Sequence, residues 1–183
     1  MKASRAQCIS NLKELGTAFA MYAQDNQDRR PLSSLRVRAE EMKGDLLAGA
    51  FLELTNYLKA PRVVLCPGLS QYRSPADSWA KLEDRNIGYA MGDGAFSIGD
   101  LDIEGGVERK VPWGQSTATA WVFGGEGYGQ SGPMIQWSKT NHVDVGQLGL
   151  ADGTVFAGDT KELRRQISLS LDDGKMIRLF LPR

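Results

Sequence analysis

From Ala3 to Asn26 the apolar residues Ile9, Leu12, Leu15, Phe19, Tyr22 and Ala23 recur at steps of three and four, with Arg5, Lys13, Glu14 and Gln24 off that stripe. Only a helix gathers such positions onto one face, so the spacing predicts an amphipathic α-helix over 3–26 that has to bury one side. It stops in the run Asp25-Asn26-Gln27-Asp28-Arg29-Arg30-Pro31, where Asn and Asp compete with helical hydrogen bonding and Pro31 cannot continue it. A second helix is expected from Asp45, a good N-cap, through Leu46, Leu47, Phe51, Leu54, Tyr57 and Leu58 to the stop at Pro61.

Past Pro61 the pattern changes. Val63-Val64-Leu65 reads as a short buried strand ending at Cys66-Pro67-Gly68, and Thr117 to Phe123 reads as another. Two Asp-Gly pairs sit between alternating segments. Leu148 and Leu150 precede Asp152-Gly153 and Val155 follows it; Ile167, Leu169 and Leu171 precede Asp173-Gly174, and Ile177, Leu179 and Leu181 follow. A type I′ turn needs positive φ at both central residues, so each pair predicts a tight two-residue hairpin and the last third reads as antiparallel sheet. Thr160 to Arg165, between the hairpins, reads as a single helical turn.

With 183 residues, 42% of them apolar, the chain has enough material for one sizeable core. The expected architecture is α+β: one domain over 1–183, with a helix over 3–26, a helical and loop region over 27–62, and mainly sheet and loops over 63–183. Lys plus Arg number 22 and Asp plus Glu number 22, so no overall basic field draws in nucleic acid or anionic lipid. The longest apolar stretches, 46–54 and 117–123, fall short of the roughly 18–20 residues a membrane helix needs. No signal-peptide pattern marks the start at Met1.

Candidate chemistry is sparse. Gly127-Tyr128-Gly129-Gln130-Ser131-Gly132 matches GxGxxG, but Pro133-Met134-Ile135-Gln136-Trp137 has no helical period to face a pyrophosphate, so the segment reads as a Gly-rich loop. His142 is the sole histidine, and any triad would run through it with Asp144, Asp152 or Asp159 as orienter and Ser138 as nucleophile. No GxSxG elbow supports that, and His142 reads as a hydrogen-bonded structural residue. In Asp100-Leu101-Asp102-Ile103-Glu104-Gly105 the carboxylates alternate as in a calcium loop, yet Val111 stands where an EF-hand supplies its bidentate Glu. That excludes an EF-hand and leaves a looser calcium site or a solvated acidic turn. Trp79, Trp113, Trp121 and Trp137 would stack on sugar rings if several shared an exposed face. Cys8 and Cys66 are too few for a structural zinc site; they are either one disulfide closing a long loop or two buried free thiols.

Three segments together resemble a family. Arg5-Ala6-Gln7-Cys8-Ile9-Ser10-Asn11-Leu12-Lys13-Glu14-Leu15-Gly16, continued by Met21-Tyr22-Ala23-Gln24-Asp25-Asn26, resembles the stretch after the membrane segment of prepilin-like proteins related to type II secretion pseudopilins. Tyr57-Leu58-Lys59-Ala60-Pro61 with Leu65-Cys66-Pro67 is similar to their YLK-P…CP segment, and His142 followed by nine residues and Asp152-Gly153 matches their H-X9-DG signature. The resemblance implies a type IV pilin-like fold, a long N-terminal helix packed on an antiparallel sheet, in a non-catalytic structural subunit. It further implies a basic leader and an apolar, membrane-anchoring helix half before Arg5 in the full-length protein, with this chain as the soluble part on the exported side of the inner membrane or at the cell surface. That location favours the Cys8–Cys66 disulfide. Expected partners are other pilin-like subunits, secretion machinery or exported cargo, with no cofactor; the other reading is a surface binding module that presents its Trp residues and the 124–132 loop to carbohydrate or another envelope ligand. Here Gly153 with Asp152 is a turn device and His142 locks a loop against the hairpin. Thr154 stands where a histidine is expected after the Asp-Gly, and Pro31-Leu32 replaces a common aromatic or proline pair.

Overall fold

A computed structural model describes residues 2–29, 31, 46–93, 107–108, 119–123, 145–149, 153–169 and 176–180. The periodic N-terminal segment forms helix α1 (Lys2–Asp25). Of the expected stripe Leu12, Leu15, Phe19 and Tyr22 are buried and Ile9 and Ala23 half-buried, while Cys8 and Ala18 join the buried face. Asn26 Nδ2 closes the last turn by donating to the Tyr22 carbonyl at 2.8 Å, and the Asp28 amide donates to the Ala23 carbonyl at 2.8 Å. Gln27 and Asp28 take left-handed conformations, φ 60° and 56°, which reverse the chain without glycine.

Helix α2 (Leu46–Leu52) is shorter than the expected 45–58 helix, and residues 53–57 continue it as turns. Leu47, Ala48, Ala50, Phe51, Leu54 and Leu58 nevertheless all reach the core. The expected strand at Val63-Val64-Leu65 is a 3-10 turn, Pro61–Val64, with Leu65 extended after it. Pro61 opens that turn because its fixed φ suits a first helical position, and this outweighs the β-preference of two valines. A second 3-10 turn, Pro67–Leu69, follows Cys66.

Among the described residues six strands form one antiparallel sheet: β1 (Tyr89–Asp93), β2 (Val107–Glu108), β3 (Thr119–Phe123), β4 (Val145–Gly149), β5 (Val155–Asp159) and β6 (Met176–Phe180), in the order β3-β6-β1-β2-β4-β5. The chain is thus α+β, with an N-terminal helix against an antiparallel sheet. The first Asp-Gly hairpin forms, but out of step with expectation. A two-residue turn would pair Ala151 with Thr154, whereas the register pairs Gly149 with Val155 and Leu148 with Phe156. That register is symmetric about residue 152, so the connection has an odd number of residues, and Gly153 within it is left-handed with φ 83°.

Leu171, Asp173 and Gly174 of the second expected hairpin lie outside the described residues, and its first strand is not formed by Ile167 and Leu169. Ile167 and Leu169 belong to helix α3 (Thr160–Leu169), ten residues where one turn was expected over 160–165, and β6 pairs with β1 and β3 instead. Asp159 starts this helix by accepting the Glu162 amide on Oδ1 at 2.9 Å. Leu163 and Ile167 are four residues apart, so the leucine and isoleucine spacing fits a helix as well as a strand.

Residues opposite one another in an antiparallel pair share a face. Gln147 with Ala157 and Gly149 with Val155 therefore face one way, and Val155 packs against the main core. Leu148 with Phe156 and Gly146 with Gly158 face the other way, where a β-carbon on Gly158 would lie 2.7 Å from Cβ of Glu162. Helices α1 and α3 accordingly cover opposite faces of the β4–β5 hairpin. On the α1 side Gln147 is fully buried, and its Oε1 and Nε2 find no hydrogen-bond partner among the described residues. An orphaned buried amide is costly, so Gln147→Met is expected to raise the unfolding free energy by about 1–3 kcal/mol in denaturant titration; an unchanged or lower midpoint would contradict this.

Candidate functional site

The chemistry most distinctive of this chain is concentrated where α1 meets the segment after Pro61. Cys8 and Cys66 are bonded, 58 residues apart in sequence, and both are fully buried. One turn along α1, Asn11 lies 5% exposed and donates from Nδ2 to the Leu65 carbonyl at 3.2 Å, while its Oδ1 accepts Gln7 Nε2 at 2.9 Å. The helix is thus joined covalently and by a buried amide to two consecutive residues, which fixes its rotation as well as its position. Gly88 is part of the same joint: its amide donates to the Val64 carbonyl at 2.8 Å, and a β-carbon there would sit 2.8 Å from the Cys66 nitrogen.

A second attachment holds the far end. Tyr22 and Tyr57 meet edge to face with ring centroids 6.1 Å apart, Tyr22 Oη donates to Glu53 Oε2 at 3.4 Å, and Tyr57 Oη donates to Asp25 Oδ2 at 2.8 Å. Tyr22 and Asp25 on the last turn of α1 are therefore tied to Glu53 and Tyr57 of the segment after α2 through packing and charge-assisted hydrogen bonds. The opposite side of the helix stays open: Ser10, Lys13, Glu14, Thr17, Ala20 and Met21 are exposed, Met21 by 45%.

The Asp25 hydrogen bond, reinforced by partial desolvation and the carboxylate's charge, raises the Tyr57 pKa above the ordinary tyrosine value. A group whose folded pKa is raised contributes stability that is present below its unfolded pKa and disappears as pH climbs through the folded one. The Tyr57 transition, identified in ultraviolet titration as the one lost in Tyr57→Phe, should therefore lie above pH 10, and Asp25→Asn should bring it back toward that value; a Tyr57 transition unmoved by Asp25→Asn would refute the assignment.

Of the residues singled out by sequence, Cys8 and Cys66 are brought together and Gly153 is an exposed turn residue. His142, Asp152, Ser138, Asp144, Trp113, Trp137, the 100–105 acidic run and the 127–132 glycine run lie outside the described residues. Asp159 caps α3. Among the described residues no three His, Cys, Asp or Glu side chains gather as a metal site, and no helix is long and apolar enough to cross a membrane. Sequence reasoning passed over Asn11, although its place on the buried stripe, three after Cys8 and one before Leu12, was a usable signal for a polar group with a fixed partner. It also passed over Arg73 and Asp84, 8% and 5% exposed, for which nothing in their neighbours' spacing signals burial.

Comparison of the chain with protein-family models, with curated proteins and with solved structures finds no match.

Proposed function

We propose that this chain is a structural, non-catalytic subunit of a type IV pilus-like or type II secretion-like assembly, with a type IV pilin-like fold. The observation that carries the reading is the mounting of α1. It is a 24-residue helix anchored near both ends to the rest of the chain, with one long face left open. Such a helix passes position and load into the sheet without turning in its seat, and its open face is available to a neighbouring copy. The buried disulfide supports residence in an oxidising compartment, which agrees with an exported position in the cell envelope and with membrane anchorage of the full-length protein through a segment before Arg5. Partners are then other pilin-like subunits, secretion machinery or exported cargo, and Gly153 serves hairpin geometry.

Cysteines placed at Glu14 and Met21 on the open face of the full-length protein, in the cells that make it, test this. A bismaleimide should produce a ladder of cross-linked species in the envelope fraction from both positions, and none from a cysteine at the buried Leu15. Recovery of the protein only as a monomer in the cytosol, with Cys8 and Cys66 reduced, would overturn the reading.

A further inference from the structure

A groove of about 470 Å³ is lined by residues between Tyr72 and Asn86. It has a built floor. Arg73, 8% exposed, donates from Nη1 to the Asp84 and Ile87 carbonyls, each at 2.8 Å, and Asn86 Nδ2 donates to the Ser74 carbonyl at 3.0 Å. These bonds tie the loop at 73–74 to the turn at 84–87, so the two walls stand at a fixed spacing. Asp84 holds the turn from beneath by accepting the Ala48 amide on Oδ1 at 2.9 Å. Pre-set walls lower the ordering cost of binding, and the volume is within the roughly 300–1,000 Å³ of small-ligand sites.

The groove's chemistry selects its occupant. Its lining holds three cations, Arg73, Lys81 and Arg85, against one carboxylate, Asp77. Lys81 Nζ lies 3.3 Å from Asp77, and Arg85 Nε lies 2.7 Å from Glu83. Both ion pairs are well exposed, and such pairs contribute only about 0–1 kcal/mol, so an incoming carboxylate can take the place of Asp77 or Glu83 like for like. Tyr72, 49% exposed, adds an aromatic face. An aromatic face beside ammonium and guanidinium groups, in an open polar trough, suits a sugar ring that carries a carboxylate. An acidic peptide would want a strand edge or apolar side-chain pockets, and apart from Tyr72 this lining offers only Pro75 and Ala76 as apolar residues.

We propose that the Tyr72–Asn86 groove binds carboxylated oligosaccharide, with the sugar face on Tyr72 and its carboxylate on Lys81 and Arg85. The binding is a property of the folded chain and does not require the assembly reading. Isothermal titration with trigalacturonate, a uronic acid trisaccharide, tests it, with maltotriose, inorganic phosphate and triglutamate as the other probes. Trigalacturonate should bind in preference to all three, and more weakly as salt is added. Tyr72→Ala and the pair Lys81→Ala with Arg85→Ala should each weaken it by about tenfold. These positions are exposed, so the variants should keep the melting temperature of the parent, which separates lost binding from lost fold. Absence of trigalacturonate binding would overturn the proposal, as would equal binding of maltotriose, phosphate or triglutamate, or binding untouched by the substitutions.

Discussion

Replacement of Cys8 and Cys66 together by alanine is expected to lower the free energy of unfolding by about 4 kcal/mol, the chain-entropy value for a closed loop of 58 residues. Most of the effect arises in the unfolded chain, which regains the freedom to separate α1 from the segment after Pro61. A smaller share arises in the folded state, where two fully buried side chains shrink within the main core. The bond spans a third of the chain and is the only covalent constraint on where α1 sits. Denaturant titration of parent and variant under non-reducing conditions measures the difference. A loss below about 1 kcal/mol would mean that α1 stays docked in the unfolded ensemble or that its other contacts suffice, and would refute the expected role of the cross-link.

The second large effect is expected from Leu12→Ala. Leu12 is 1% exposed, next to Asn11 and one turn from Cys8, so truncation leaves a cavity at the centre of the α1 joint. Neighbours held by a disulfide and by the Asn11 hydrogen bond to the Leu65 carbonyl have little freedom to collapse into it. The cost should therefore fall in the range of about 2–5 kcal/mol for buried leucine truncations. Glu14→Ala, on the exposed face of the same helix, should stay within about 0.5 kcal/mol. Equal losses from the two substitutions would show that burial of the docked face does not set the stability of α1.

What the sequence made legible follows from how local each signal is. The α1 stripe repeats over about four turns, so the helix and its buried face were readable, and the end at Asp25 followed from the Asn and Asp run. Asp152-Gly153 located a hairpin, but its register depends on how α1 and α3 seat against the two faces of β4 and β5, which no dipeptide encodes. Val63-Val64 carried strand propensity and became a 3-10 turn because Pro61 and the bonded Cys66 constrain both flanks. Ile167 and Leu169 alternate as a strand would, and the signal that outweighed them was the Asp159 cap at the other end of the segment. Disulfide formation could not be decided from two cysteines alone. The Tyr72–Asn86 groove was not legible either, because Arg73 and Asn86 assemble it through backbone carbonyls 11 to 14 residues away, and such bonds leave no mark in residue spacing.

Both sulfur atoms of Cys8 and Cys66 have no solvent contact. Thiol–disulfide exchange needs in-line attack on a sulfur, so a reductant has no target until α1 lifts from its seat. Oxidation and the closing of the hydrophobic interior are therefore coupled, and an exchange catalyst must act before the helix docks. Once that moment has passed, the molecule is insulated from the redox state of its surroundings, and the rate at which dithiothreitol consumes the bond becomes a clock for helix opening.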